Sequence, residues 1–202
     1  MPRPWALYQR HASFVLGFHG TERAVVDHVV SRKTGHLKKS EGRFEWLGHG
    51  IYFWENDPQR GLEWADHGNT KRKIEHPDVV GAIIDLGLCL DLTTRIGLDE
   101  VAEAFATLRD SYATAGLELP KNTGGDDNVR RELDCQVIQA VHAYRQERNM
   151  PDYDSVRAPF LEDRRVYPGA EFRVGNHIQI CIVKPENCIK GYFRPITDAP
   201  TT

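Results

Sequence analysis

The order in which the apolar residues change their spacing limits this chain more than any other feature. Near both ends the apolar residues come in short β-branched or aromatic runs. These are Phe14-Val15-Leu16-Gly17-Phe18, Ile51-Tyr52-Phe53-Trp54, residues 79–90, then Ser155-Val156-Arg157, Phe172-Arg173-Val174 and residues 177–183. Between them, residues 98–115 and 129–147 carry apolar side chains at helical period, with Leu133, Val137, Ala140, Val141 and Tyr144 on one side of the second stretch. Strands at both ends with long helices inserted in the middle are not the regular alternation of a doubly wound sheet, so the order predicts an α+β fold with a mostly antiparallel core. Shorter helices are expected at 22–32, and from Asn56-Asp57-Pro58 through Trp64 and Ala65, where a capping residue precedes Pro at the first helical position. Residues 120–128, rich in Gly, Asp and Asn, read as a loop.

Composition narrows the class. A chain of 202 residues, 40% hydrophobic and 27% charged, is expected to be one globular domain over 1–202, with residues 197–202 as a frayed tail. No apolar run approaches the ~18 residues of a membrane span, so no membrane partner is expected. The start, Met-Pro-Arg-Pro-Trp, lacks the apolar stretch of a secretory signal. None of Cys89, Cys135, Cys181 and Cys188 forms a C-x-x-C pair, so a reduced, cytoplasmic protein is expected, with Cys89 and Cys181 as small buried hydrophobes. The net charge of −3 supplies no overall attraction for a polyanion, which would need a local patch. Nine histidines are present, but neither H-x-x-x-H nor H-E-x-x-H occurs, so no metal site is expected.

Three strings carry the chemistry. In Gly17-Phe18-His19-Gly20-Thr21 a strand is expected to end with His19 at its tip, Gly20 allowing close approach of a ligand to the backbone, and Thr21 capping the next helix. In Gly48-His49-Gly50-Ile51-Tyr52-Phe53-Trp54 three consecutive aromatics lie on one strand. Consecutive strand residues face opposite sides, so at least one is expected to face a cleft instead of the core. Gly48-His49-Gly50 precedes a strand and does not open a helix, which excludes dinucleotide-fold and P-loop readings. In Gly175-Asn176-His177-Ile178-Gln179-Ile180-Cys181-Ile182-Val183 the isoleucines form one face, and His177 and Gln179 share the other. Two polar side chains on such a strand either satisfy each other and nearby loops or face a ligand.

Taken in order, these strings resemble the ADP-ribosyltransferase superfamily, most closely the branch named for a His-Tyr-Glu triad that includes diphtheria-type toxins and poly(ADP-ribose) polymerases. Residues 48–53 are similar to the family's Gly-x-Gly-Ile-Tyr-Phe, and Tyr153-Asp154-Ser155-Val156 resembles a strand of the polymerase-like members. The resemblance runs from Gly17 to about Ile189. It implies a single domain with split antiparallel β-sheets around an NAD cleft. It also implies that His19 holds a ribose hydroxyl of NAD and that the Gly20 backbone holds the nicotinamide carboxamide. Thr21, Tyr52 and Phe53 would belong to the same cofactor-binding set, and Trp64 would stack on nicotinamide.

The third triad position departs from the pattern, because this strand has no Glu. Asn176-His177 resembles the Asn-Glu of the polymerases, whereas Gln179, followed by Pro185, resembles strands running from Glu to a Pro at the same distance. Gln179 is the preferred equivalent, since related members with Gln belong to the same clade, and His177 would then stand near the acceptor. The implied activity is transfer of single ADP-ribose units from NAD to a macromolecular acceptor, protein or nucleic acid, with release of nicotinamide. The setting implied is a toxin or defence enzyme with an antitoxin or immunity partner. The alternative is a degenerate module that binds NAD or ADP-ribose without turnover. The loop at 32–43, with Arg32, Lys33, Lys38, Lys39 and Arg43 against Glu41 alone, could reach the NAD pyrophosphate or a nucleic-acid backbone.

Overall fold

Strand β1 (Val15–Glu22) sets the architecture through two unequal pairings. With β3 (Pro77–Ile84) it pairs along its whole length, from Val15 opposite Ile84 to Glu22 opposite Pro77. With β2 (Ile51–Glu55) it pairs only at Gly17–Glu55 and Phe18–Trp54. Beyond this short join the two strands part. The fold is known from a computed structural model, which describes residues 13–31, 35–68, 74–125 and 129–196. The expected tail at 197–202, and Arg32 and Lys33 of the basic loop, lie outside the described residues.

Outward from β2 come β8 (His177–Ile182), β7 (Ser155–Phe160) and the short edge strand β4 (Cys89–Asp91). On the other side β9 (Ile189–Phe193) pairs with β3. Among the described residues the hydrogen-bonded sheet therefore has seven strands in the order β4-β7-β8-β2-β1-β3-β9, split into a four-stranded and a three-stranded half by the join. All pairings are antiparallel except β4 with β7, which is parallel. A two-stranded ribbon, β5 (Asn122–Thr123) with β6 (Arg130–Arg131), stands apart. The α+β class agrees with expectation, and helix α1 (Arg23–Ser31), α3 (Arg95–Thr114) and α4 (Glu132–Glu147) lie close to the periodic stretches in the sequence.

Four local expectations are corrected. First, β1 does not end at Phe18: β3 offers it backbone partners as far as Glu22, so His19, Gly20 and Thr21 are strand residues, and Thr21 pairs with Asp78 instead of capping α1. Second, residues 79–90 are not one strand. Asp85 Oδ1 accepts from the Gly87 N–H at 3.0 Å and Gly87 takes a positive φ of 58°, which turns the chain from β3 toward β4 at the far edge. Third, the stretch read as a loop contains β5, and its partner β6 takes up the start of the stretch expected to be helical. Asn122 Oδ1 accepts from the backbone N–H groups of Leu133 and Asp134, taking the capping role that Arg131, at the N-cap, does not fill. Fourth, Phe172-Arg173-Val174 forms no strand, only a bridge from Arg173 to Arg165.

The pleat of the central strands separates two cores. Phe53, Ile180 and Ile182 pack on one face with Val26 and Val29 of α1 and with Val80, Ala82 and Ile84. Cys181 and Val156 pack on the other with Leu90, Ala104, Val137, Val141 and Tyr153. All four cysteines are free and buried, including Cys89 and Cys181 as expected. Among the described residues no helix is long and apolar enough to cross a membrane.

One polar cluster ties the four-stranded half together. Arg157 of β7 donates to Glu55 of β2 at 2.6 and 3.1 Å and to Asp91 of β4 at 3.2 Å. All three side chains are largely buried. Removing the cation alone leaves two desolvated carboxylates facing each other, so Arg157→Leu is expected to destabilise the protein by about 3–5 kcal/mol in urea unfolding, and adding Glu55→Leu recovers part of that loss.

Candidate functional site

Where β1 and β2 part, a cleft of about 880 Å³ opens. It brings together His19 of β1, Tyr52 and Trp54 of β2, Trp64, and His177 and Gln179 of β8. These residues span 160 positions of sequence, from 19 to 179, and meet because β8 pairs with β2 while β1 leaves it. An adjoining cavity of about 710 Å³ is lined by Gly20, Thr21 and Lys39 among others. The two share a wall made by His19, Lys38, Ser40 and Trp64.

His19 sits just past the join, where β1 no longer supplies backbone partners to β2. Its Nδ1 lies 2.7 Å from the Tyr52 carbonyl oxygen, which can only accept, so Nδ1 carries the hydrogen and donates it. The imidazole thus satisfies a carbonyl that the strand ladder has left. Burial pushes the His19 pKa below the usual histidine value, more than the bond to Tyr52 raises it. The ring is neutral at physiological pH, and Nε2 is left with a lone pair that can accept from a hydroxyl.

Packing gives Gly20 a second reason beside the one expected. A Cβ there would lie 1.8 Å from the Gly61 carbonyl oxygen and 3.1 Å from the Ala65 methyl. The residue lets helix α2 (Pro58–Glu63) lie directly on β1, and this holds the helix end at the cleft. Asp57 starts that helix as foreseen, its Oδ1 accepting from the Arg60 N–H at 2.9 Å. A π-helical turn (Trp64–Gly68) follows α2 and presents Trp64, 38% exposed, with its ring 5.9 Å from that of buried Trp54.

The Tyr52 hydroxyl is fully engaged. It donates to the Gly48 carbonyl at 2.6 Å and accepts from the Leu47 N–H at 2.8 Å, and burial pushes its pKa well above the usual value. The phenol is therefore a neutral anchor, and what it offers the cleft is its ring. Gly48 makes this anchor possible with a positive φ of 78°, a conformation that other residues rarely adopt. Phe53 corrects an expectation: it is fully buried in the core with Ile84 and Ile180 and lines neither cavity. With Tyr52 and Trp54 both at the cleft, the pleat sends Phe53 to the opposite side.

Gln179 lies opposite Trp54 on β2 and Ala158 on β7 and lines the cleft. Two residues earlier, His177 donates from Nδ1 to the Gly175 carbonyl at 2.8 Å and stacks on Phe160, with ring centroids 5.4 Å apart. Burial lowers its pKa. Among the described residues, His177 Nε2 and Trp54 Nε1 are both buried without a hydrogen-bond partner. The sequence reading missed Glu162 and Arg60, which also line the cleft and form an ion pair at 2.9 Å. Arg60 lies inside the helix expected after Asp57, but Glu162 is revealed only by register: Phe160 pairs with His177, and Glu162 follows two residues later. Of the basic loop, Lys38 lines both cavities and Lys39 the second, whereas Arg43 stacks over Phe44 at 4.6 Å and lines neither. Among the described residues no cluster of His, Cys, Asp and Glu could hold a metal ion.

No protein-family model, no curated protein and no solved structure matches the chain.

Two outcomes follow from this geometry. Gly20→Ala is expected to cost about 1–3 kcal/mol in chemical unfolding, because α2 must lift from β1. His19, His142 and His177 are all held below the ordinary value of 6.5 chiefly by burial, so the folded state binds fewer protons than the unfolded one. Their contribution is fully present above pH 6.5 and falls as the pH drops below it toward the lowered folded values. The urea midpoint at about pH 5.5 should lie below that at about pH 7.5, with a smaller difference in His19→Gln.

Proposed function

We propose that this protein is an NAD-dependent mono-ADP-ribosyltransferase, moving one ADP-ribose unit to a macromolecular acceptor, protein or nucleic acid, with release of nicotinamide. The observation that carries the reading is the pair of adjoining cavities with His19, Lys38 and Trp64 in their common wall. A dinucleotide has two nucleoside halves joined by a pyrophosphate. Two chambers with a cation and an acceptor nitrogen between them suit that shape and charge. The order of motifs in the sequence supports the same reading.

Cleaving the bond between nicotinamide and ribose develops positive charge on the ribose, as in glycoside hydrolysis. Nicotinamide leaves as a neutral molecule, so no general acid is needed. What the site must supply is orientation and hydrogen bonds that strengthen as charge develops. In this reading His19 Nε2 accepts from a ribose hydroxyl, fixed by the bond from Nδ1 to Tyr52. The Tyr52 ring and Trp64 hold the planar nicotinamide. Gln179 hydrogen-bonds the 2′-hydroxyl but brings no negative charge and no base, which favours single transfers over chain growth. Lys38 and Lys39 lie where the pyrophosphate would pass. The role is that of a toxin or defence enzyme acting inside the cell, held in check by an antitoxin or immunity partner. Gln179, an amide in place of a carboxylate, also favours a second reading: a module that binds NAD or ADP-ribose without turnover.

Nicotinamide release on incubation with NAD separates the two. We expect release by the wild-type chain, a loss of about 100-fold in His19→Ala, and losses in Tyr52→Ala and Gln179→Ala. Tight NAD binding without release would establish the binding module, and full release by Gln179→Ala would remove that residue from the site. Labelled NAD in a lysate, followed by protease or nuclease digestion, then identifies the acceptor class.

A further inference from the structure

The wall of the cleft beside Gln179 holds a polar cluster that the donor-binding residues leave unused. Glu162 Oε2 lies 2.9 Å from Arg60 Nη2 and 3.8 Å from His177 Nδ1. Arg60 also reaches Glu63 at 3.9 Å, and it is carried by α2, the helix seated on β1 through Gly20. The cluster therefore joins three separate parts of the chain: α2, the segment after β7, and the start of β8. Its histidine is set in one tautomer. Nδ1 donates to the Gly175 carbonyl, so the lone pair is on Nε2. The ring is clamped against Phe160, its side chain is 2% exposed, and Nε2 is buried with no partner among the described residues. Buried ring nitrogens are rarely left without a hydrogen-bond partner, and one that lines a substrate-sized cleft is a group kept for a ligand.

We propose that His177 is the general base that takes the proton of the attacking acceptor, and that Glu162, held by Arg60, is the positioning residue that stabilises the imidazolium formed. The proposal rests on the NAD reading above and answers the question that reading raises, namely what replaces the carboxylate absent at Gln179. The replacement is shared between the next outward-facing position on β8 and the segment leaving the neighbouring strand. In the step, the bond from C1′ of the ribose to nicotinamide breaks and its electron pair leaves with nicotinamide. An oxygen of the acceptor bonds to C1′, and the proton of that oxygen passes to His177 Nε2 and then to solvent. A base is useful only to a nucleophile that is protonated at neutral pH. An acceptor served by this base carries its proton at neutral pH, as a hydroxyl does, and is not a carboxylate or a terminal phosphate, both of which arrive ionised.

The charged groups facing His177 are Glu162 and Asp57, which favour its protonated form, and Arg60, which opposes it; burial outweighs them and keeps the ring neutral. Release of nicotinamide from NAD, with water as the acceptor, is measured across pH for the wild type, His177→Asn and Glu162→Gln. NAD affinity is followed by quenching of tryptophan fluorescence. In the wild type, kcat at saturating NAD, where the ribose hydroxyl occupies His19 Nε2 and keeps that ring out of the profile, should fall on the acid side as His177 protonates, with the limb below the ordinary value of 6.5. His177→Asn, which can still donate to the Gly175 carbonyl, should lose that limb and about 100-fold in kcat with the KM for NAD unchanged. Glu162→Gln removes a charge that favours the imidazolium, so its limb should move to lower pH and its kcat should fall, again at unchanged KM. An acid limb retained in His177→Asn overturns the base assignment and leaves the NAD reading standing. If His177→Asn no longer binds NAD, the Glu162→Gln profile decides, and an unshifted limb overturns the proposal. A wild-type chain that releases no nicotinamide overturns the transferase reading and this assignment with it.

Discussion

Everything distinctive in this fold follows from the unequal pairing of β1. The strand keeps its full ladder with β3 and yields all but two residue pairs with β2. A fully paired β1–β2 edge would give a continuous sheet with no room between the strands. The short join instead keeps the two halves in one hydrogen-bonded sheet while leaving backbone groups past Phe18 and Trp54 without a ladder partner. Those groups must be satisfied, and the His19 side chain takes the Tyr52 carbonyl. The bond that repairs the split thus also sets the tautomer and orientation of the imidazole that faces the cleft.

The residues holding this opening in place are small or fully engaged. Gly20 lets α2 lie on β1, and α2 in turn carries Arg60 and delivers Trp64 to the rim. The Tyr52 hydroxyl is tied at both lone pair and proton to the segment at Leu47 and Gly48, so the ring cannot swing. On the opposite face, Arg157 links β7, β2 and β4 through Glu55 and Asp91, which keeps β2 bound to its four-stranded half while β1 departs. The cleft is therefore bounded by elements whose positions are each set by packing or by a charge-assisted bond, and this preorganisation is what a site needs to distinguish a developing charge from a ground state.

Much of this could be read from the residues. The α+β class followed from where the periodicity changes, and the alternation in β8 separated His177 and Gln179 from Ile180 and Ile182. Asp57 before Pro58 located the start of α2. The misreadings share a cause. His19-Gly20-Thr21 looked like a turn because its composition is that of a turn, but β3 supplied strand partners that no local pattern reveals. Residues 79–90 looked like one strand because both pieces are buried on both faces, and only the Asp85–Gly87 turn divides them. Phe53 was grouped with Tyr52 by adjacency, whereas the pleat sets neighbours on opposite sides. Glu162 carried no signal of its own, since an acid in the charged run 162–165 reads as solvated surface.

The sequence by itself determined which side chains are apolar and at what period, hence most of the longer strands and helices and the identity of His19, Tyr52 and Gln179 as polar or aromatic members of apolar strands. Those are local properties, set within a few residues of each position. Only the tertiary structure decided how far β1 stays with β2, which ring nitrogen of His19 and His177 keeps its lone pair, and that Glu162 and Arg60 stand beside His177. These depend on how strands and segments that are not neighbours in sequence come together, and strand register is settled by the competition of whole faces for burial, not by any single residue.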